Sequence, residues 1–171
     1  MRFPRVMTTG HRPNGIPVGS AGWVERELER LAVKLRDQNG MQVGISGMAL
    51  GSDIWWAQAT VFAWQELWAF LPFPQQAERW TAEQVALWQE MRSRATREHI
   101  TADSYSDAAY LQRNENMLDY SDLVIAVFDP ASTGGGTLAT VRSAVQRMLP
   151  IVHVNPVTQS TLMLAPGRMP S

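Results

Sequence analysis

The chain has no cysteine among its 171 residues. That excludes a thiol nucleophile, a disulfide framework and thiolate-bound zinc. It also lacks an excess of charge, since fifteen Lys and Arg against sixteen Asp and Glu leave a net charge of −1. No overall field therefore gathers nucleic acid or an anionic membrane, and Arg92, Arg94 and Arg97 form the one dense basic cluster. No apolar run approaches the ~20 residues of a membrane span. The opening MRFPRVMTTG enters a strand-like run at once instead of a signal-peptide core. A cytoplasmic protein without a membrane partner is the expectation. Histidine is sparse, and His11, His99 and His153 are too scattered for ligand spacing, so no metal is expected.

What remains is an ordinary globular composition, 45% apolar and 18% charged, of a length that suits one domain. Short apolar runs alternate with helix-period segments. Arg5 to Gly10, Met41 to Gly47 and Leu67 to Phe73 read as strands, with a weaker one from His99 to Tyr105. Asp122 to Phe128 is the clearest buried strand, and Ile151 to Asn155 the last. Between them, Val24, Leu28, Leu31 and Leu35 recur at helical spacing up to a stop at Asn39-Gly40. Ser52 and Asp53 can cap a helix carrying Ile54, Ala57, Val61 and Trp64. Thr81 and Gln84 make a capping box for another through Val85, Trp88, Met91 and Ala95. Tyr110 to Leu118 and the segment with Val141, Ala144, Val145 and Met148 complete the helical set. Residues 1–156 thus form the domain, and 157–171, with no period, are expected to be a loosely held tail.

Strand and helix alternating in this way imply an α/β, Rossmann-like three-layer sandwich: a mostly parallel sheet with helices on both faces. Right-handed crossovers place every strand-to-helix loop on one sheet edge, where open α/β sheets bind ligands. Three such loops combine glycine with hydroxyl groups. They are TTGHRPNG (Thr8 to Gly15), SGMALGSD (Ser46 to Asp53) and DPASTGGGT (Asp129 to Thr137). Glycines at a helix N-terminus expose backbone N–H groups that, with the helix dipole, suit an anion. Arg12 adds a planar fork for phosphate oxygens and Thr137 a hydroxyl. Neither GGGT nor GMALG continues into a Walker loop or a GxGxxG fingerprint, and no dissociable cofactor is expected.

In the order TTGHRP, SGMALGSD, PFPQQAERW, QRNENMLDYSD and GGGT, the chain resembles the YpsA-like branch of the SLOG superfamily over most of Val6 to Pro156. The resemblance implies a Rossmann-like fold and a ligand related to nucleotides or ADP-ribose. It also implies a homo-oligomer, a dimer, which the surplus of tryptophan suits. Related LOG phosphoribohydrolases follow a similar glycine motif with glutamate and cleave nucleoside monophosphates. Here Ala139 and Thr140 stand in that place, so an N-glycosidase would need a displaced carboxylate: Asp129, Glu115 or Asp53. The SG-x-A-x-G-x-D loop is shared with the DNA-processing protein A family, which binds single-stranded DNA. Basic runs are scarce here, and nucleic acid ranks below a small molecule as partner.

The expected site therefore comprises Thr9, Gly10, His11 and Arg12, then Ser46, Gly47, Gly51 and Asp53. Gly134, Gly135, Gly136 and Thr137 hold the phosphate. Arg113 shares a helix face with Met117, and Asn114 shares one with Leu118, so Asn114 faces inward near the ligand edge, where a base, a ribose or a neighbouring loop backbone could meet its amide. The resemblance implies that Arg113 and Asn114 belong to the site. His11 is read as a hydrogen-bond donor to ligand. Gln76 serves either ligand or a neighbouring loop. Trp64 and Trp88 fall on apolar stripes and read as core, while of the adjacent Trp55 and Trp56 one must be partly exposed.

Overall fold

The computed structural model describes residues 1–171. Seven strands form one sheet: β1 (Arg5–Gly10), β2 (Val43–Ser46), β3 (Glu66–Leu71), β4 (Arg97–Ile100), β5 (Leu123–Val127), β6 (Ile151–Asn155) and β7 (Ser160–Leu164). Their order across the sheet is β4-β3-β2-β1-β5-β6-β7, parallel throughout except for β7 against β6. The helices are α1 (Ala21–Asn39), α2 (Ser52–Phe62), α3 (Ala82–Arg94), α4 (Asp107–Tyr120) and α5 (Gly136–Gln146), with a 3₁₀ turn at Pro13–Gly15. No helix is long and apolar enough to cross a membrane.

Strand alternation builds the three layers. On one face, Val6, Leu123, Ile125, Val127, Val152 and Val154 pack against α1 and α2 through Leu28, Leu31, Trp56 and Ala59. Leu67, Ala69 and Leu71 extend that face under α2 and α3. On the other, Met7, Ile45, Phe70, Val124 and Ala126 meet Met117 and Leu118 of α4 and Leu138, Val141 and Ala144 of α5. β5 is buried at every position because helices cover both its sides. α2 lies unusually close to the sheet. A Cβ at Gly10 would sit 2.5 Å from Ser52 Cβ and 2.8 Å from Val127 Cβ, so only glycine fits there.

Several expectations are corrected. The tail is not loose along its whole length: β7 lies within it, paired antiparallel with β6 from Asn155–Ser160 to Ile151–Leu164. Its backbone bonds hold it there, since its side chains remain largely at the surface. Trp64 is not core. α2 stops at Phe62, Trp64 takes a left-handed φ of 58° in the turn that follows, and its side chain is 90% exposed. The N-cap of α2 is Gly51, not Ser52, because the Ser52 hydroxyl donates to the His11 carbonyl instead (2.9 Å). Of the paired tryptophans, Trp56 is buried with Nε1 donating to the Val6 carbonyl (3.3 Å), and Trp55 is half-buried.

Candidate functional site

The sheet order reverses direction between β1 and β5, and a cavity of about 330 Å³ opens at the C-terminal ends of these two strands. Thr9 and Gly10 reach it from the end of β1, and His11, Arg12, Asn14 and Gly15 from the loop that follows. Asp53 enters from the first turn of α2, and Tyr110, Arg113 and Asn114 from α4. Gly134, Gly135, Gly136 and Thr137 close the remaining side at the start of α5.

The glycines are the informative part. At Gly134, Gly135 and Gly136 a built Cβ would meet nothing within 4 Å, so no packing inside the chain excludes a side chain there. Gly135 has φ 97°, a conformation that side-chain-bearing residues rarely adopt, and it leaves α5 with no side-chain cap. The first N–H groups of α5 have no intrahelical acceptor. Such a helix start is suited to an anion.

The opposite wall is cationic. Arg113 is only 4% exposed, with Nη1 donating to the Gly47 carbonyl and Nε to Asn114 Oδ1 (2.7 Å). Asn114 is oriented in turn by donating from Nδ2 to Thr140 Oγ1 (2.9 Å), a residue of α5. Asp53, 8% exposed, is the charge neighbour of Arg113: both groups come within 2.7 Å of where a Gly47 Cβ would stand. Burial pushes the Asp53 carboxyl above its ordinary pKa, against the pull of Arg113, the Ala49 amide and Arg12. Burial likewise lowers the Arg113 pKa, which Asp53 opposes. Arg12 lies over the Tyr110 ring, 5.7 Å from its centroid, and no carboxylate pairs with it.

His11 is held neutral. Burial lowers its pKa, with the nearby Asp129 carboxylate pulling the other way. The Asp129 backbone N–H donates to His11 Nε2 (3.0 Å), which puts the ring proton on Nδ1. Nδ1–H is therefore the only donor His11 has left for a ligand.

Ser46, Gly47 and Gly51 do not line the cavity; they shape the loop beneath it. Ser46 Oγ donates to the Asp53 carbonyl (2.7 Å) and accepts from Met48 N (3.1 Å). The Gly47 carbonyl receives Arg113 and Gln76, and a Cβ on Gly51 would come within 2.8 Å of the His11 carbonyl. Glu115 also lies outside. It accepts from Arg147 (2.6 Å) and Ser143 (3.1 Å), joining α4 to α5. Asp129 caps its own loop by accepting from Ala131 N (2.9 Å). Sequence reasoning missed Asn14, Gly15, Ala49, Tyr110 and Leu111 as lining residues; for Tyr110, its place one turn before Arg113 on the same helix face was the available signal.

The YpsA model, which describes the YspA SLOG family, matches residues 21–154. The chain belongs to the YspA SLOG family. A relative within reach by sequence is a UPF0398 protein of Bacillus pumilus (strain SAFR-032), 28% identical over 142 residues and aligned over 75% of each chain. Among solved structures, this SLOG protein superposes on the DNA processing protein A of Helicobacter pylori with a TM-score of 0.66 at 21% identity. The superposition covers 90% of this chain and 66% of that one, so this chain spans just under two-thirds of its neighbour. The molybdenum cofactor binding protein of Rippkaea orientalis gives a TM-score of 0.57 at 18% identity, over 90% and 77% of the two chains. At these identities the likeness concerns the fold. The low rank of nucleic acid as partner finds no support in it, since the Helicobacter protein is described by its single-stranded DNA binding mode.

Proposed function

We propose that this SLOG protein binds or senses a phosphate-bearing, nucleotide-type small molecule in the β1–β5 cavity. One observation carries the reading: three adjacent glycines at the start of α5 face open space, opposite two arginines. With His11 neutral, the lining charges are Arg12 and Arg113 against Asp53, a local positive excess in a chain whose net charge is −1. In a half-enclosed site such an excess favours a phosphate more than the same charges favour it in water. Thr137 and the free amides of α5 would hold the phosphate oxygens, with Arg12 across from them. The molybdenum cofactor binding neighbour supports a small-molecule guest in this fold.

Two other readings each have an observation of their own. Asp53 is the one carboxylate that lines the cavity, so N-glycosidase chemistry on a nucleoside monophosphate would rest on it. A carboxyl with a raised pKa beside a bound sugar is the kind of group that donates a proton to a leaving base. Single-stranded DNA is favoured by the Helicobacter neighbour, and it presents the same phosphates in a chain.

Calorimetry with ribose 5-phosphate, nucleoside monophosphates and short oligonucleotides ranks the binding readings. The binding reading expects mononucleotides to bind and Arg12→Gln to weaken them without loss of fold. Oligonucleotides that bind far better than mononucleotides, with a steep salt slope, would replace it with the DNA reading. Free base released from a monophosphate, and abolished by Asp53→Asn, would replace it with the enzyme reading.

A further inference from the structure

The phosphate reading leaves one conspicuous stretch of sequence unused, PFPQQAERW at Pro72–Trp80, and one neighbouring cavity unassigned. This second cavity, of about 380 Å³, shares Arg12 and Tyr110 with the first. Its other walls include Phe73, Trp80 and Tyr105. Arg12 and Tyr110 thus form a partition, with the arginine reaching both chambers.

Three of the rings brace one another edge to face. Phe73 and Tyr105 have centroids 5.6 Å apart at 72°, Phe73 and Tyr110 are 5.3 Å apart at 85°, and Tyr105 and Tyr110 are 6.3 Å apart at 74°. Burial accounts for Phe73, which is 3% exposed, but not for Tyr105, which is 67% exposed. Tyr105 is nevertheless fixed, because its hydroxyl donates to Asp107 Oδ1 (2.8 Å) at the start of α4. An exposed ring held by two neighbouring rings and by its hydroxyl loses little freedom when a planar guest stacks on it.

The segment is also tied to the phosphate chamber. Gln76 donates to the Gly47 carbonyl (3.0 Å), the same atom that receives Arg113, and accepts from Trp88 Nε1 (3.0 Å). The aromatic wall and the cationic wall therefore stand in fixed relation. Glu78 and Arg79, both exposed and without an ion-pair partner, supply hydrogen-bonding groups at the rim.

We infer that the second cavity seats the planar heterocycle of the ligand whose phosphate lies in the glycine cradle. Tyr105 and Trp80 are its stacking surfaces, and Arg12 stands between base and phosphate. The ligand class is then a heterocycle joined to a phosphate within one residue-length, as in a nucleoside monophosphate, and not a bare sugar phosphate. This assignment rests on the phosphate reading above.

The test compares affinities of the full chain for ribose 5-phosphate and for the four ribonucleoside monophosphates, by calorimetry. At least one monophosphate binds tenfold or more tightly than ribose 5-phosphate, within the range that stacking one base contributes. Tyr105→Ala reduces that ratio by about fivefold or more, and Tyr105→Phe, which keeps the ring, retains it. Circular dichroism and a melting curve check that the variants are folded. If ribose 5-phosphate binds and no monophosphate exceeds it, or if the ratio is indifferent to Tyr105→Ala, the heterocycle seat is wrong and the phosphate cradle stands. If neither kind of ligand binds, the cradle itself is wrong and this inference falls with it.

Discussion

The substitution Gly136→Ala separates a glycine kept for a ligand from a glycine kept for the fold. Gly136 is the first residue of α5, and a methyl group built on it meets no protein atom within 4 Å. The folded chain therefore accommodates alanine without strain, while the unfolded chain loses freedom that only glycine has. A change of this kind stabilises by about 0.4–1 kcal/mol. In a domain of this size each kcal/mol moves the melting temperature by about 2–4 °C, so a rise of about 1–4 °C is expected. Binding moves the other way. The methyl group occupies the space in front of the α5 amides, and one lost hydrogen bond to a charged oxygen costs about 1.5–3 kcal/mol. That corresponds to a loss of affinity of about 10-fold to 150-fold for ribose 5-phosphate or a nucleoside monophosphate. Melting curves without ligand and calorimetry with it read both signs on the same sample. A variant that melts higher and binds phosphate ligands within twofold of the parent would refute the cradle. Gly135 is unsuitable for this test, because its φ of 97° makes any side chain costly to the fold as well.

Three further outcomes follow from the same geometry. His11 has its pKa lowered by burial, so its contribution to stability is present above the unfolded value of about 6.5 and is lost as pH falls through the folded value. An NMR titration places its pKa below 6.5, and His11→Asn flattens the acid side of the stability curve; a pKa at or above 6.5 would show that burial does not outweigh the pull of Asp129. Asp53→Asn leaves the buried Arg113 without its charge neighbour, destabilising the fold by about 3 kcal/mol while raising affinity for phosphate. Denaturant melts and calorimetry check the two signs, and weaker phosphate binding would show that Asp53 holds the ligand directly. Gln76→Ala orphans the buried Trp88 Nε1–H and costs about 1–3 kcal/mol, read as a lower denaturation midpoint.

The sheet and its helices were legible because their signals are local. Leu123–Val127 is an unbroken apolar run flanked by turn residues, and Thr81 with Gln84 forms both hydrogen bonds of the capping box (3.3 and 3.0 Å). Gly40 ends α1 in the left-handed conformation that its place after Asn39 suggested. The failures have two causes, a deciding partner that is distant in the chain and a turn that lacks the usual stop residues. β7 has a weak pattern of its own and exists because β6 offers it a free edge. The end of α2 carries no glycine or proline, so helical spacing ran on through Trp64 into a turn. At the site, most of the expected residues do meet around one cavity. Ser46, Gly47 and Gly51 support it from below: the polar atoms of Ser46 and Gly47 are used by Asp53, Met48, Arg113 and Gln76, and Gly51 packs tightly under the β1 loop. Glycine and hydroxyl content marks such a loop without revealing which of its atoms face outward.

The reversal of strand order at β1 and β5 has a mechanical consequence. It divides the sheet into two wings, β1 to β4 on one side and β5 to β7 on the other, with α4 crossing from the first to the second. A guest in the crevice touches the end of the first wing, the start of α5 on the second, and the crossing helix. On the proposed binding reading, its arrival would bridge two wings that are already hydrogen-bonded to each other along β1 and β5. Amide exchange should slow along both sides of that seam, which lets occupancy be felt at sheet edges that no ligand atom reaches.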